Sequence, residues 1–114
     1  MEKEWGVSFG MDVKYCNPLT MRSKESIQEY VIALCKHNEI ERVGDCYFSH
    51  LDNGDLVFGQ VFESGFITGL SMGMQNHLHI YICSSEPFDI NLLTAHTMDF
   101  FKATENATHY SIRY

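Results

Sequence analysis

Basic residues are scarce in this 114-residue sequence: eight lysines and arginines stand against fifteen aspartates and glutamates, a formal net charge of −7. Such a chain has no basic stripe with which to release counterions from a phosphate backbone, and this excludes nucleic acid as a partner. Long apolar runs are missing too. None approaches the ~18–20 residues of a membrane span, and Met1-Glu2-Lys3-Glu4-Trp5 lacks the basic-then-apolar order of a signal peptide. A cytoplasmic protein with no membrane partner is expected. The four cysteines, Cys16, Cys35, Cys46 and Cys83, form no Cys-x-x-Cys pair. In a reducing compartment they are free thiols, neither a disulfide framework nor a zinc knuckle. Asn106-Ala107-Thr108 matches a glycosylation sequon that the cytosol would leave silent. There is no linker and no low-complexity segment, so residues 1–114 read as a single domain around one core.

What the sequence does contain is periodicity. Trp5, Val7, Phe9, Met11, Val13 and Tyr15 alternate with small or polar residues, which predicts a strand with one face on a core. Cys16-Asn17-Pro18 ends it. Ile27, Tyr30, Val31 and Leu34 then fall at the spacing of a helix stripe, with Ser23 or Ser26 as cap, Cys35 at its edge and an end near His37-Asn38. A second strand is expected over residues 40–51, carrying Val43, Tyr47 and Phe48. Asp52-Asn53-Gly54 predicts a type I′ hairpin. Strands follow at 55–63, 66–71 and 77–83. Asp89 is the expected cap of a second helix whose apolar side is Leu92, Leu93, His96, Phe100 and Phe101. Thr108, Tyr110, Ile112 and Tyr114 alternate in a last strand. The order β-α-β-β-β-β-α-β predicts an α+β fold, a two-layer α/β sandwich with an antiparallel sheet and two helices on one face. The apolar and aromatic side chains left on the other face point to a homodimer through the sheets.

The candidate chemistry lies in Glu63-Ser64-Gly65, a polar hinge between two apolar runs, with Cys83 returning toward it on a later strand. A Glu–Ser bond buried between strands beside a thiol is a place for reaction. A serine in a tight turn and an inert core cysteine is the plainer alternative.

These residues resemble the short, prokaryotic-type S-adenosylmethionine decarboxylases over nearly the whole chain. Gly10-Met11-Asp12-Val13-Lys14-Tyr15-Cys16-Asn17 resembles that family's first strand and its cysteine-bearing turn. Glu63-Ser64 resembles the self-cleavage dipeptide, His79-Ile80-Tyr81-Ile82-Cys83 the strand that ends in the catalytic cysteine, and Pro87-Phe88-Asp89 the start of the second helix. The resemblance implies that Glu63-Ser64 self-cleaves, that Ser64 becomes a pyruvoyl cofactor and that Cys83 protonates the carbanion left by decarboxylation, in spermidine biosynthesis. It also implies substrate contacts from Phe48 and His79, a homodimer, and no metal. The chain departs from the family's pattern where it expects histidines, directly after the serine and five residues after it; Gly65 and Gly69 stand there. A Trp-Pro-Glu element is replaced by Ser71-Met72-Gly73-Met74. His77 and His79 share a face with Cys83 and are candidates to replace the missing imidazoles.

Three further readings follow from those departures. The first is an uncleaved homologue that binds an adenosyl ligand or regulates an active decarboxylase. The second is an S-adenosylmethionine-degrading enzyme using Glu63 on the intact chain. The third is a metal site from His77, His79 and Cys83.

Overall fold

The computed structural model describes residues 5–114. Its elements run β1 (Gly6–Lys14), α1 (Pro18–Met21), α2 (Lys24–His37), β2 (Arg42–His50), β3 (Leu56–Phe62), β4 (Gly65–Met72), β5 (His77–Ser84), α3 (Ile90–Phe101) and β6 (Glu105–Arg113). All six strands form one sheet in the order β2-β3-β4-β5-β1-β6, and every neighbouring pair is antiparallel. The expected α+β sandwich is therefore what forms, with three helices where two were expected. The extra one, α1, is a single turn that Asn17 caps through its side chain and Pro18 starts.

The core lies between the helices and one face of the sheet. Phe9, Met11 and Val13 of β1 meet Leu78, Ile80 and Ile82 of β5, with Phe58 of β3 and Ile67 of β4 beside them. Helix α2 adds the predicted stripe of Ile27, Tyr30, Val31 and Leu34, all without solvent exposure. Each such side chain contributes about 1.5–3 kcal/mol by leaving water. Alternation fails only at the ends of β1: Trp5 and Tyr15 lie beyond the strand and are exposed, and Tyr15 takes φ 60° as the chain leaves the sheet.

Several boundaries differ from the sequence expectation. Ser23, rather than Ser26, caps α2 by accepting from the Ser26 N–H at 3.2 Å. The buried line of α3 is Leu93, Thr97 and Phe101, while Leu92 is 39% exposed. Thr97 joins the core because its hydroxyl is satisfied twice, against Tyr30 Oη at 2.7 Å and the Leu93 carbonyl at 2.8 Å. The Asp52-Asn53-Gly54 turn is not type I′, because only Gly54 has positive φ, at 90°. The Gly54 N–H bonds Leu51 O and the Leu51 N–H bonds Asp55 O, the pattern of a three-residue loop whose last residue is left-handed. Asn53 serves it with its side chain, accepting from the Asp55 N–H at 3.0 Å.

Candidate functional site

The Glu63–Ser64 bond is not buried between strands. Phe62 pairs with Gly65, so Glu63 and Ser64 are the two tip residues of the β3–β4 hairpin, the first exposed and the second half-buried. Three backbone contacts hold the tip. The Glu63 N–H donates to Glu41 O at 3.0 Å, the Ser85 N–H donates to Ser64 O at 2.7 Å, and Gly65 sits opposite Ser84.

The hydroxyl of Ser64 lies 3.0 Å from that of Ser84. Ser84 has one proton and gives it to Glu86 O at 2.8 Å, while its oxygen also accepts from the Glu86 N–H. Ser64 is therefore the donor to Ser84. Its proton is held by another hydroxyl, which is not a base.

Around this tip lies a cleft of 360 Å³, lined by Asn38, Glu39, Ile40, Glu41, Glu63 and the Ser84–Phe88 segment along with Ser64. That volume is at the lower end of the range for small-molecule sites. Four of the lining side chains are carboxylates and none is lysine, arginine or histidine. Asn38 Oδ1 is shut off from solvent and has no hydrogen-bond partner, although its Nδ2 donates to Leu34 O at 2.9 Å. A buried acceptor left unmatched is costly. The Phe88 ring supplies the apolar wall, resting edge-on against Phe9 with centroids 6.3 Å apart.

Cys83 does not join Ser64. Side chains alternate along β5, so Leu78, Ile80, Ile82 and Ser84 face the helices while His77, His79, Tyr81 and Cys83 face the open side. The thiol and the Ser64–Ser84 hydroxyls thus point to opposite faces. His79 shares the thiol's face, where its Nδ1 meets Asp12 Oδ1 at 2.7 Å with both side chains about two-fifths exposed. His77 lies further along, edge-on to Tyr15. The His77, His79 and Cys83 trio does not converge, and among the described residues no group of three or more histidine, cysteine or acidic side chains is placed to hold a metal ion. Phe48, the other expected substrate contact, is on the helix side, packed against the core opposite Phe58 with Lys24 Nζ 5.5 Å above its ring. The two expected substrate contacts lie on different faces.

Neither glycine site has room for a histidine. A Cβ on Gly65 would stand 1.9 Å from the Cys83 carbonyl oxygen, and one on Gly69 would fall 2.1 Å from the Phe58 ring. Together with the thiol's position and the lack of an imidazole in the cleft, this arrangement does not fit a pyruvoyl group at Ser64. The Ser84, Glu86, Asn38 and Glu41 contributions carry no motif in the sequence. The acidic members of the cleft, Glu39, Glu41, Glu63 and Glu86, are scattered along the sequence.

No protein-family model matches the sequence, and no curated protein matches it either. Among solved structures, the chain is similar to the crystal structure of the adenosylmethionine decarboxylase from Aquifex aeolicus VF5, with a TM-score of 0.83. The match covers 98% of this chain and 92% of that one, at 10% sequence identity. The fold is adenosylmethionine decarboxylase-like.

Proposed function

We propose that this chain acts uncleaved, as a receptor for a small cationic ligand of the S-adenosylmethionine type held in the cleft beside Glu63–Ser64. The observation that carries the reading is the cleft's one-sided chemistry: four carboxylates and no basic group line it. A sulfonium supplies the missing positive charge, and an ammonium supplies both charge and N–H donors for the carboxylates. Serine hydroxyls suit a ribose, and the Phe88 ring suits a stacked base. The likeness in fold to an adenosylmethionine decarboxylase supports this ligand class. Pyruvoyl-dependent decarboxylation is the reading the fold itself favours, and it requires the Ser64 and Cys83 chemistry that the present placement separates.

Calorimetry on the purified full chain, combined with its intact mass, tests the proposal. A single species at 13.1 kDa that binds S-adenosylmethionine several-fold more tightly than the uncharged S-adenosylhomocysteine is expected. Glu41→Gln or Glu63→Gln should weaken that binding a few-fold, the scale of exposed charge pairs at about 0.2–1 kcal/mol each. Two fragments, residues 1–63 and 64–114 with a blocked second N-terminus, would replace this reading with the decarboxylase. Consumption of the ligand by the uncleaved chain would make it a degrading enzyme. Indifference to ligand charge would overturn the site.

A further inference from the structure

The two margins of the sheet are built differently. At one, β2 is guarded against pairing: its ladder with β3 shifts register between Val43 and Tyr47, Gly44 takes φ 74°, and the charged Asp45 stands in the irregular stretch. Such bulges and charges keep edge strands from recruiting neighbours. At the other margin, β6 pairs with β1 in unbroken register over all nine of its residues. Its outer edge has no partner among the described residues. Between Glu105 and Arg113 it carries no proline, no bulge and no formal charge. Tyr110 and Ile112 sit opposite the buried Phe9 and Val7, yet they are 52% and 40% exposed, because the helices do not extend over β6.

We propose that β6 pairs antiparallel with β6 of a second copy of this chain, about a two-fold axis through His109, joining two six-stranded sheets edge to edge. Facing residues in such a pair must lie on the same side of the sheet, so the axis has to pass through a residue rather than between two. Placing it at His109 overlaps the whole strand. It also sets Glu105 opposite Arg113 of the other copy at both ends, with Ala107 opposite Ser111 and Thr108 opposite Tyr110. In the single chain the exposed Arg113 guanidinium donates inward to Tyr81 Oη at 3.3 Å. Turned outward it completes a self-complementary charge pattern that selects a second copy over an unrelated strand, since opposite charges directly across a pair stabilise it and like charges repel.

Sedimentation equilibrium of the full chain from low to high micromolar concentration should show a monomer–dimer equilibrium. Arg113→Glu should weaken it by about tenfold, by converting two attractive pairs to repulsive ones. The double variant E105R/R113E should restore it. Because residues directly opposite lie ~4.5–5.5 Å apart at Cα, within disulfide reach, His109→Cys should form an intermolecular disulfide under mild oxidation. The same change at Leu70, on the open face, should not. A chain monomeric throughout, a dimer indifferent to R113E, or equal crosslinking from H109C and L70C would overturn the proposal. A dimer broken instead by changes at Tyr47 or Phe66 would place the interface on the open face and overturn it too.

Discussion

Strand β5 shows two chemistries back to back. Toward the helices it presents Leu78, Ile80 and Ile82, buried and interdigitated with β1 and β4, ending in a serine that holds the Glu63–Ser64 tip. Toward the open side it presents His77, His79, Tyr81 and Cys83, all half-exposed, with one imidazole anchored on Asp12. Only the first face carries the stability of the fold. The second keeps its reactive side chains accessible, but apart from the serine pair, so possessing the residues of a reaction is different from assembling them.

Substitutions can break or sharpen that contrast. The largest effect is expected on the helix side at Gly69→His, where an imidazole has to displace the Phe58 ring. Ordinary overpacking costs about 1–3 kcal/mol, and a Cβ this close to a buried ring goes beyond that range, so urea unfolding should show failure to fold or a midpoint lowered further than at any other position. Adjacent positions on β5 should come next and differ sharply. Ile80→Ala should cost about 2–5 kcal/mol through the cavity it leaves, whereas His79→Ala should cost under about 1 kcal/mol, because its contact with Asp12 is two-fifths exposed. Equal losses at the two positions would erase the distinction between the faces.

Thiol chemistry gives a gentler probe. Burial raises the pKa of Cys16 and of Cys35 to about 11, so at neutral pH both are slow nucleophiles as well as inaccessible ones. Half-exposed Cys83 should be alkylated before either in the native chain, and peptide mapping after brief iodoacetamide treatment checks the order. The smallest effect is acidic. Burial, with His37 stacked alongside, lowers the pKa of His96 below its ordinary 6.5. The unfolded chain then takes up a proton that the folded chain resists, so stability should fall as pH drops through and below 6.5 and be retained above it. Unfolding midpoints at pH 5.5 and 7.5 should differ in that direction, and His96→Gln should flatten the difference.

The fold was legible because its signals are local and repeated. Alternation in β1, the α2 stripe and the Asp89 cap each state their own geometry, and six strands leave few ways to cover one face. Turns were read less well: Asn53-Gly54 announced a hairpin, but loop length and the Asp55 contact set its type. The site was read least. Ser64 and Cys83 are separated by a parity that shows only once Gly65 is registered against Ser84. Phe48 and His79, both expected to touch substrate, stand on opposite faces by the same parity. No spacing in the chain announces that Asn38, Glu41 and Glu86 meet at one cleft.

The ring of Phe58 lying over Gly69 also constrains descent. A histidine can enter position 69 only after residue 58 has become small, and a small residue at 58 on its own leaves a hole worth about 3–5 kcal/mol. Each step is harmful alone and tolerable only with the other. A chain carrying this pair therefore reaches a histidine at position 69 at least cost by changing both positions together.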